Sequence, residues 1–85
     1  PQTVPVFNCQ IYVAPRDAGG KISARCANLP EVAFSAATER EVLQGIVAAF
    51  KRTVSGYVER GEAIPFIAPP PKFPGESERL IGVHL

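Results

Sequence analysis

The longest regular pattern of hydrophobic and polar positions runs from Thr38 to Gly61 and predicts one amphipathic helix. Thr38 followed three residues later by Glu41 is a capping box, in which the hydroxyl accepts from an early free N–H and the carboxylate reaches back to the cap. Gly61 suits the left-handed turn that ends many helices. Apolar residues recur at steps of three and four, so the helix needs an apolar partner surface. This stripe consists of Val42, Leu43, Ile46, Val47, Phe50, Val54, Tyr57 and Val58.

Apolar and polar residues alternate on both sides of the helix, which is the period-two pattern of β-strands. Residues 6–14 and 21–27 alternate in this way, and the turn-forming sequence at 15–20, PRDAGG, joins them into a hairpin. Residues 32–37 form a short third strand that leads directly into the helix cap. Residues 79–85 form the last strand, so the predicted element order is β-β-β-α-β within one domain, residues 1–85.

Residues 62–78 form a proline-rich tether between the helix and the last strand, with prolines at 65, 69, 70, 71 and 74. Proline removes backbone donors, so this segment is extended, and we expect it to cover an edge of the sheet. The helix and tether together are long enough for a right-handed crossover. The predicted fold is therefore α+β: a mixed four-stranded sheet in the order 3-2-1-4, with the last strand parallel to the first and the helix packed on one face.

The two faces of this sheet differ in character, and the bare face is the candidate functional surface. Antiparallel sheets tolerate water on one face, but a bare face also suits a partner. Aromatic and cationic side chains are typical of interface centres. The candidate partner or oligomer interface consists of Tyr12, Arg25, Leu80 and His84. The helix-facing residues are Phe7, Cys9, Ile11, Val13, Ile22, Ala24, Ile81 and Val83, and the bare face also presents Asn8, Gln10 and Ser23.

Composition excludes several classes of protein. The 85 residues are 46% hydrophobic and carry a net charge of +1, which predicts a globular domain without the basic stripe of a nucleic-acid surface. No apolar run approaches the roughly 18–20 residues that span a bilayer, and the N-terminal sequence has no secretory signal pattern. We therefore expect a cytoplasmic protein.

The sequence offers no catalytic, cofactor-binding or metal-binding constellation. A two-metal nuclease needs several convergent carboxylates, whereas Asp17 lies in a turn and the other acids lie outside the predicted strands. His84 has no nucleophile at a recognisable spacing. Cys9 and Cys26 lie on one face of the hairpin, where a bridge is sterically conceivable, but two small buried hydrophobes are the expected outcome in an intracellular chain. We expect no cofactor and no enzymatic activity.

The order and spacing of these features resemble the HicB family, the antitoxin partners of HicA-type mRNA interferases. The resemblance covers roughly residues 6–67 and the last strand. It departs from the family pattern at Glu31-Val32 and Ala36-Ala37, and no helix-turn-helix or ribbon-helix-helix segment follows the last strand. The matching segments are Asp17-Ala18-Gly19-Gly20, Asn28-Leu29-Pro30, Thr38-Glu39-Arg40-Glu41 and Gly61-Glu62-Ala63-Ile64-Pro65.

This resemblance implies a truncated RNase H-like fold and a non-enzymatic module that masks a small HicA-type toxin by protein–protein contact. We also expect a homo-oligomer, and without a DNA-binding extension we expect no direct DNA binding by this domain alone. The alternative is a standalone homo-oligomeric domain that acts as a scaffold or ligand binder without a toxin.

Overall fold

A computed structural model describes residues 6–85 and shows four strands and one helix. The strands form one sheet in the order β3-β2-β1-β4, with the helix on one face, so the predicted α+β class and strand order are confirmed. The elements are β1 (Val6–Val13), β2 (Ile22–Cys26), β3 (Ala33–Ala36), α1 (Glu39–Arg60) and β4 (Ser77–His84).

The predicted parallel pairing of β4 with β1 is wrong, because every pair of neighbouring strands in this sheet is antiparallel. Ser77 lies opposite Val13 and His84 opposite Val6, so β4 starts at the end of the sheet where β1 finishes. The cause is the segment 62–76, here called the strap. Extended at ~3.1 Å per residue, its fifteen residues reach roughly 45 Å. That length exceeds the ~27 Å of an eight-residue strand, so the strap returns the chain along the whole sheet before β4 begins.

The helix begins and ends where its capping residues predict. Thr38 is the N-cap, and its hydroxyl oxygen accepts from the backbone N–H of Glu41 at 3.2 Å. The Glu41 carboxylate accepts from the Thr38 hydroxyl at 2.9 Å, so the two side chains of the capping box contact each other directly. Gly61 has φ +68°, the left-handed conformation that glycine adopts without a steric penalty.

The core lies between the helix and the face of the sheet predicted to receive it. Val42, Ile46, Phe50 and Val54 are fully buried, whereas Val58, near the end of the stripe, is half exposed. The hydroxyl of Tyr57 donates to a carboxylate oxygen of Glu31 instead of entering the core. The sheet contributes Cys9, Ile11, Val13, Ile22, Ala24, Cys26 and Val83, and the loop after β2 adds Leu29 and Val32.

One contact brings the helix unusually close to β3. Phe34 of β3 lies against Gly45, and a Cβ atom built on Gly45 would lie 2.3–2.7 Å from three atoms of the Phe34 ring. Real Cβ atoms are not found this close to a neighbour, so the absence of a side chain at Gly45 allows this approach.

The two cysteines lie beneath the helix as free thiols. Their sulfur atoms are 3.9 Å apart and both residues are buried, which agrees with the expectation of two small buried hydrophobes. The hydrogen bond to Cys26 and the apolar surroundings raise the pKa of the Cys9 thiol, so Cys9 is protonated and unreactive in the folded chain.

Candidate functional site: the sheet face opposite the helix

Tyr12 and Arg25 are cross-strand neighbours at the centre of the sheet face that the helix does not cover. The guanidinium carbon of Arg25 lies 5.1 Å from the centroid of the Tyr12 ring and 4.5 Å from that of Phe73. Both distances are within the range of cation–π attraction. Arg25 is therefore held between a ring of the sheet and a ring of the strap.

A carboxylate at the end of the strap fixes the same cluster. Glu76 accepts from Nη2 of Arg25 at 3.0 Å, from its Nε at 3.3 Å, and from the backbone N–H of Phe73 at 2.7 Å. The hydrogen bonds from Arg25 are the main reason that the pKa of Glu76 is lowered, and the Phe73 N–H adds to the effect. The Glu76 side chain is only 7% exposed, so solvent screens this ion pair less than most surface pairs.

Two further hydrogen bonds attach the strap to the sheet. The Tyr12 hydroxyl donates to the carbonyl oxygen of Pro70 at 2.6 Å, and the backbone N–H of Ile67 donates to the carbonyl oxygen of Asn28 at 3.0 Å. Before it crosses to this face, the strap places Phe66 near Phe7 and Phe50 at the end of the core, with ring centroids 6.2 Å apart in both pairs.

The expectation that the strap covers an edge of the sheet and leaves this face bare is therefore wrong. The strap covers the centre of the face. Tyr12 is only 4% exposed, because the strap lies over it. The sequence signal for this covered face was the pair Phe73 and Glu76 in the tether. An aromatic ring and a carboxylate are suitable partners for Arg25, which lies beside Tyr12, but the two residues follow no periodic pattern that would have identified them.

Leu80 and His84, the other two candidate interface residues, lie on the same face but outside the strap. Both belong to β4, where Leu80 pairs with Gln10 and His84 with Val6, and both are exposed. Leu80 is 66% exposed, the largest exposed fraction among the large hydrophobic side chains of residues 6–85. The structure thus separates the four residues into a covered pair and an exposed pair, and their contact with a partner stays a prediction.

The outer edge of the sheet next to Leu80 carries a second feature, which the sequence pattern did not identify. An open apolar groove of about 350 Å³ lies between the helix and β4, lined by Leu43, Gln44, Val47, Ala48, Lys51 and Ile81. Leu43, Val47 and Ile81 are only partly buried against the core. The helix lies mainly over β2 and β3, so the side of the sheet near β4 is covered less completely and the groove stays open there.

Residues 6–85 carry no chemistry that suggests another kind of site. This part of the chain holds no group of three or more His, Cys, Asp or Glu side chains placed to bind a metal ion. Its one helix is not apolar enough to cross a membrane. Asp17 accepts from the backbone N–H of Lys21 at 2.9 Å within the β1–β2 turn, which is the turn-forming position that the sequence predicts.

Comparison with known proteins identifies a solved structure with a similar fold. No family model and no curated protein sequence matches the chain significantly. Among solved structures, the chain is similar to the crystal structure of the N-terminal domain of the Burkholderia pseudomallei antitoxin HicB, with a TM-score of 0.77 and 21% sequence identity. The match covers 93% of this chain and 100% of that domain. The chain therefore has the fold of the N-terminal domain of a HicB antitoxin.

Proposed function

We propose that this domain is a non-enzymatic protein-binding module of the HicB antitoxin kind. Its role is to mask a small HicA-type mRNA-interferase toxin by direct contact. We further propose that it acts in the cytoplasm and that copies of the chain associate with one another.

The observation that supports this proposal is the likeness to an antitoxin domain over the full length of that domain and 93% of this chain. Two independent features agree with it. The sequence resembles the same family in the order and spacing of its turns and caps, and the exposed half of the predicted interface, Leu80 and His84, lies on an uncovered strand available to a partner.

Co-expression tests the proposal directly. The proposal requires a reading frame for a small basic protein beside this gene in its native genome, and the absence of one would favour the standalone alternative. That protein and this chain are expressed together in a bacterial host, one gene under each of two inducible promoters. We expect the neighbouring protein to arrest growth when expressed alone, this chain to restore growth, and the two to purify as a stable complex.

A matched control uses this chain with Phe50 replaced by Asp, which places a charge in the centre of the core and unfolds the domain. That variant should fail to restore growth, which would show that the folded domain is required. Growth arrest that this chain does not relieve, with no complex recovered, would contradict the antitoxin role. Recovery of self-associated chain only would favour the standalone homo-oligomeric scaffold or ligand binder.

A further inference from the structure

The two edges of the sheet are protected very differently. β3 has only four residues, and Pro30 lies shortly before it. A short edge strand and a nearby proline both reduce the chance that the edge pairs with another chain. β4 has eight residues, pairs with β1 on one side, and has no strand on its other side among the described residues. Its middle section, Leu80 to Val83, contains no charged residue. A long, apolar, unpaired edge of this kind pairs readily with another strand.

The sequence of β4 is complementary to itself when it runs antiparallel to a second copy. A two-fold axis perpendicular to the sheet keeps every side chain on its own face, so opposite residues must have numbers of the same parity. With Ile81 on the axis, Glu78 lies opposite His84 on the face away from the helix, so the carboxylate faces an imidazole. Leu80 lies opposite Gly82 on that face, so a large side chain lies beside a position that has none.

The neighbouring registers match less well. Arg79 lies opposite an apolar residue in both registers, Ile81 with Leu80 on the axis and Val83 with Ile81 on the axis, so it does not distinguish them. With Leu80 on the axis, however, Glu78 faces Gly82 and its carboxylate has no polar side chain opposite it. With Gly82 on the axis, pairing is limited to residues 80–84, and Glu78 has no partner. The Ile81 register pairs residues 78–84, and of the three registers it alone sets Glu78 opposite His84.

We propose that two copies of this chain form a symmetric dimer by antiparallel pairing of their β4 strands, with Ile81 opposite Ile81 on the two-fold axis. Two four-stranded sheets then form one continuous sheet of eight strands. Both helices lie on the same side of it, so the apolar grooves that Leu43, Val47 and Ile81 line meet across the axis and exclude water from each other. This proposal specifies the self-association proposed above and does not depend on the toxin.

The first test measures the mass of the purified chain, without any toxin, by light scattering at concentrations from about 1 to 200 µM. We expect a concentration-dependent approach to twice 9.1 kDa. Replacement of Glu78 by Lys sets a cation opposite His84, and replacement of His84 by Glu sets two carboxylates opposite each other. Because each dimer contains two such pairs, each single change should raise the dimer dissociation constant about tenfold.

The double variant Glu78→Lys, His84→Glu sets opposite charges against each other and should return the dissociation constant to within about threefold of the parent. Ser35→Lys, an exposed change on the β3 edge, is the matched control and should have no effect. All these changes are at exposed positions, so loss of folding does not complicate the comparison.

The second test locates the two-fold axis of the dimer. One cysteine at a time is added at position 80, 81 or 82, and each variant is oxidised in a glutathione redox buffer. Directly opposite residues in antiparallel strands have Cα atoms ~4.5–5.5 Å apart, which a disulfide bond can span. Ile81→Cys should form a covalent dimer faster than Leu80→Cys or Gly82→Cys, and the parent, whose two thiols are buried, should form none.

A monomer at all concentrations would overturn the proposal, as would a dimer that is insensitive to both single substitutions. Faster linkage through position 80 or 82 would overturn the register. None of these outcomes bears on toxin binding, because the toxin is absent from both tests, so failure here is distinguishable from failure of the proposed antitoxin role.

Discussion

Replacement of Gly45 by Ala should destabilise the domain, although the same change normally strengthens a helix. Alanine in a helix interior is favoured over glycine by about 0.8–1.0 kcal/mol. At Gly45 the new methyl group would lie 2.3–2.7 Å from three atoms of the Phe34 ring, including Cγ at the base of the ring. Because Cγ is fixed close to the backbone of β3, the whole ring must rotate away from the helix.

The cost of that movement exceeds the gain in helix propensity. Phe34 is 43% exposed, so just over half of its surface is shielded from water in the native position. Complete burial of a Phe side chain is worth about 1.5–3 kcal/mol, and roughly half of that would be lost. A strained rotamer adds about 0.5–1.5 kcal/mol. We therefore expect Gly45→Ala to lower the free energy of unfolding by about 0.5–2 kcal/mol.

Gly56 provides a matched control in the same helix. A Cβ atom there would lie 3.1 Å from Nη1 of Arg60, the far end of a flexible and exposed side chain that can move aside. Gly56→Ala should therefore keep the propensity gain of about 0.8–1.0 kcal/mol. At ~4–8 °C per kcal/mol for a domain of this size, Tm should rise for Gly56→Ala and fall for Gly45→Ala.

Urea unfolding monitored by circular dichroism measures both changes, and a double-mutant cycle with Phe34→Ala tests the cause. Without the ring, Gly45→Ala should become stabilising by about 1 kcal/mol. If Gly45→Ala stabilised the parent chain as much as Gly56→Ala does, or if its effect were the same with and without Phe34, the close approach of helix and β3 would be refuted.

Three further predictions concern the core and the strap. Phe50→Ala should cost about 3–5 kcal/mol because Phe50 is fully buried, and thermal unfolding would contradict this if Tm fell by only a few degrees. Tyr12→Phe, which removes the hydroxyl bonded to Pro70, should cost about 0.5–1.5 kcal/mol in urea unfolding, and an unchanged midpoint would contradict that contact. Arg25 lowers the pKa of Glu76 in the folded state, so the stabilisation from this carboxylate is present above its unfolded pKa of about 4.3 and is lost as pH falls through the folded pKa. The difference in the free energy of unfolding between the parent and Glu76→Gln should therefore be largest above about pH 5 and should vanish in acid. A difference that does not change with pH would exclude the ion pair.

Features set by local chemistry could be predicted from the sequence. The hairpin turn at Asp17, the N-cap at Thr38 and the C-cap at Gly61 each depend on residues a few positions apart. The alternation of the strands correctly assigned the residues that face the helix, because parity along a strand does not depend on the direction of its neighbour. The strand order followed from short connections between the first three strands.

The direction of β4 and the covered centre of the open face could not be predicted in this way. Both depend on the path of the strap, which has no hydrophobic period and makes no regular hydrogen-bonding ladder. Its position follows from a few contacts between residues distant in sequence, such as Arg25 with Glu76 and Tyr12 with Pro70. The four candidate residues lie on the face away from the helix, as expected, but two of them, Tyr12 and Arg25, lie beneath the chain's own strap.

Inhibition of RNA cleavage tests the proposed antitoxin role most directly. The small basic protein that the proposal requires beside this gene is purified alone, tested for cleavage of a fluorescent RNA, and titrated with increasing amounts of this domain. The domain by itself should leave the RNA intact, and cleavage should fall linearly to zero at a fixed molar ratio, as expected for tight masking by protein–protein contact. Cleavage that continues unchanged at a large excess of folded domain would contradict the proposal.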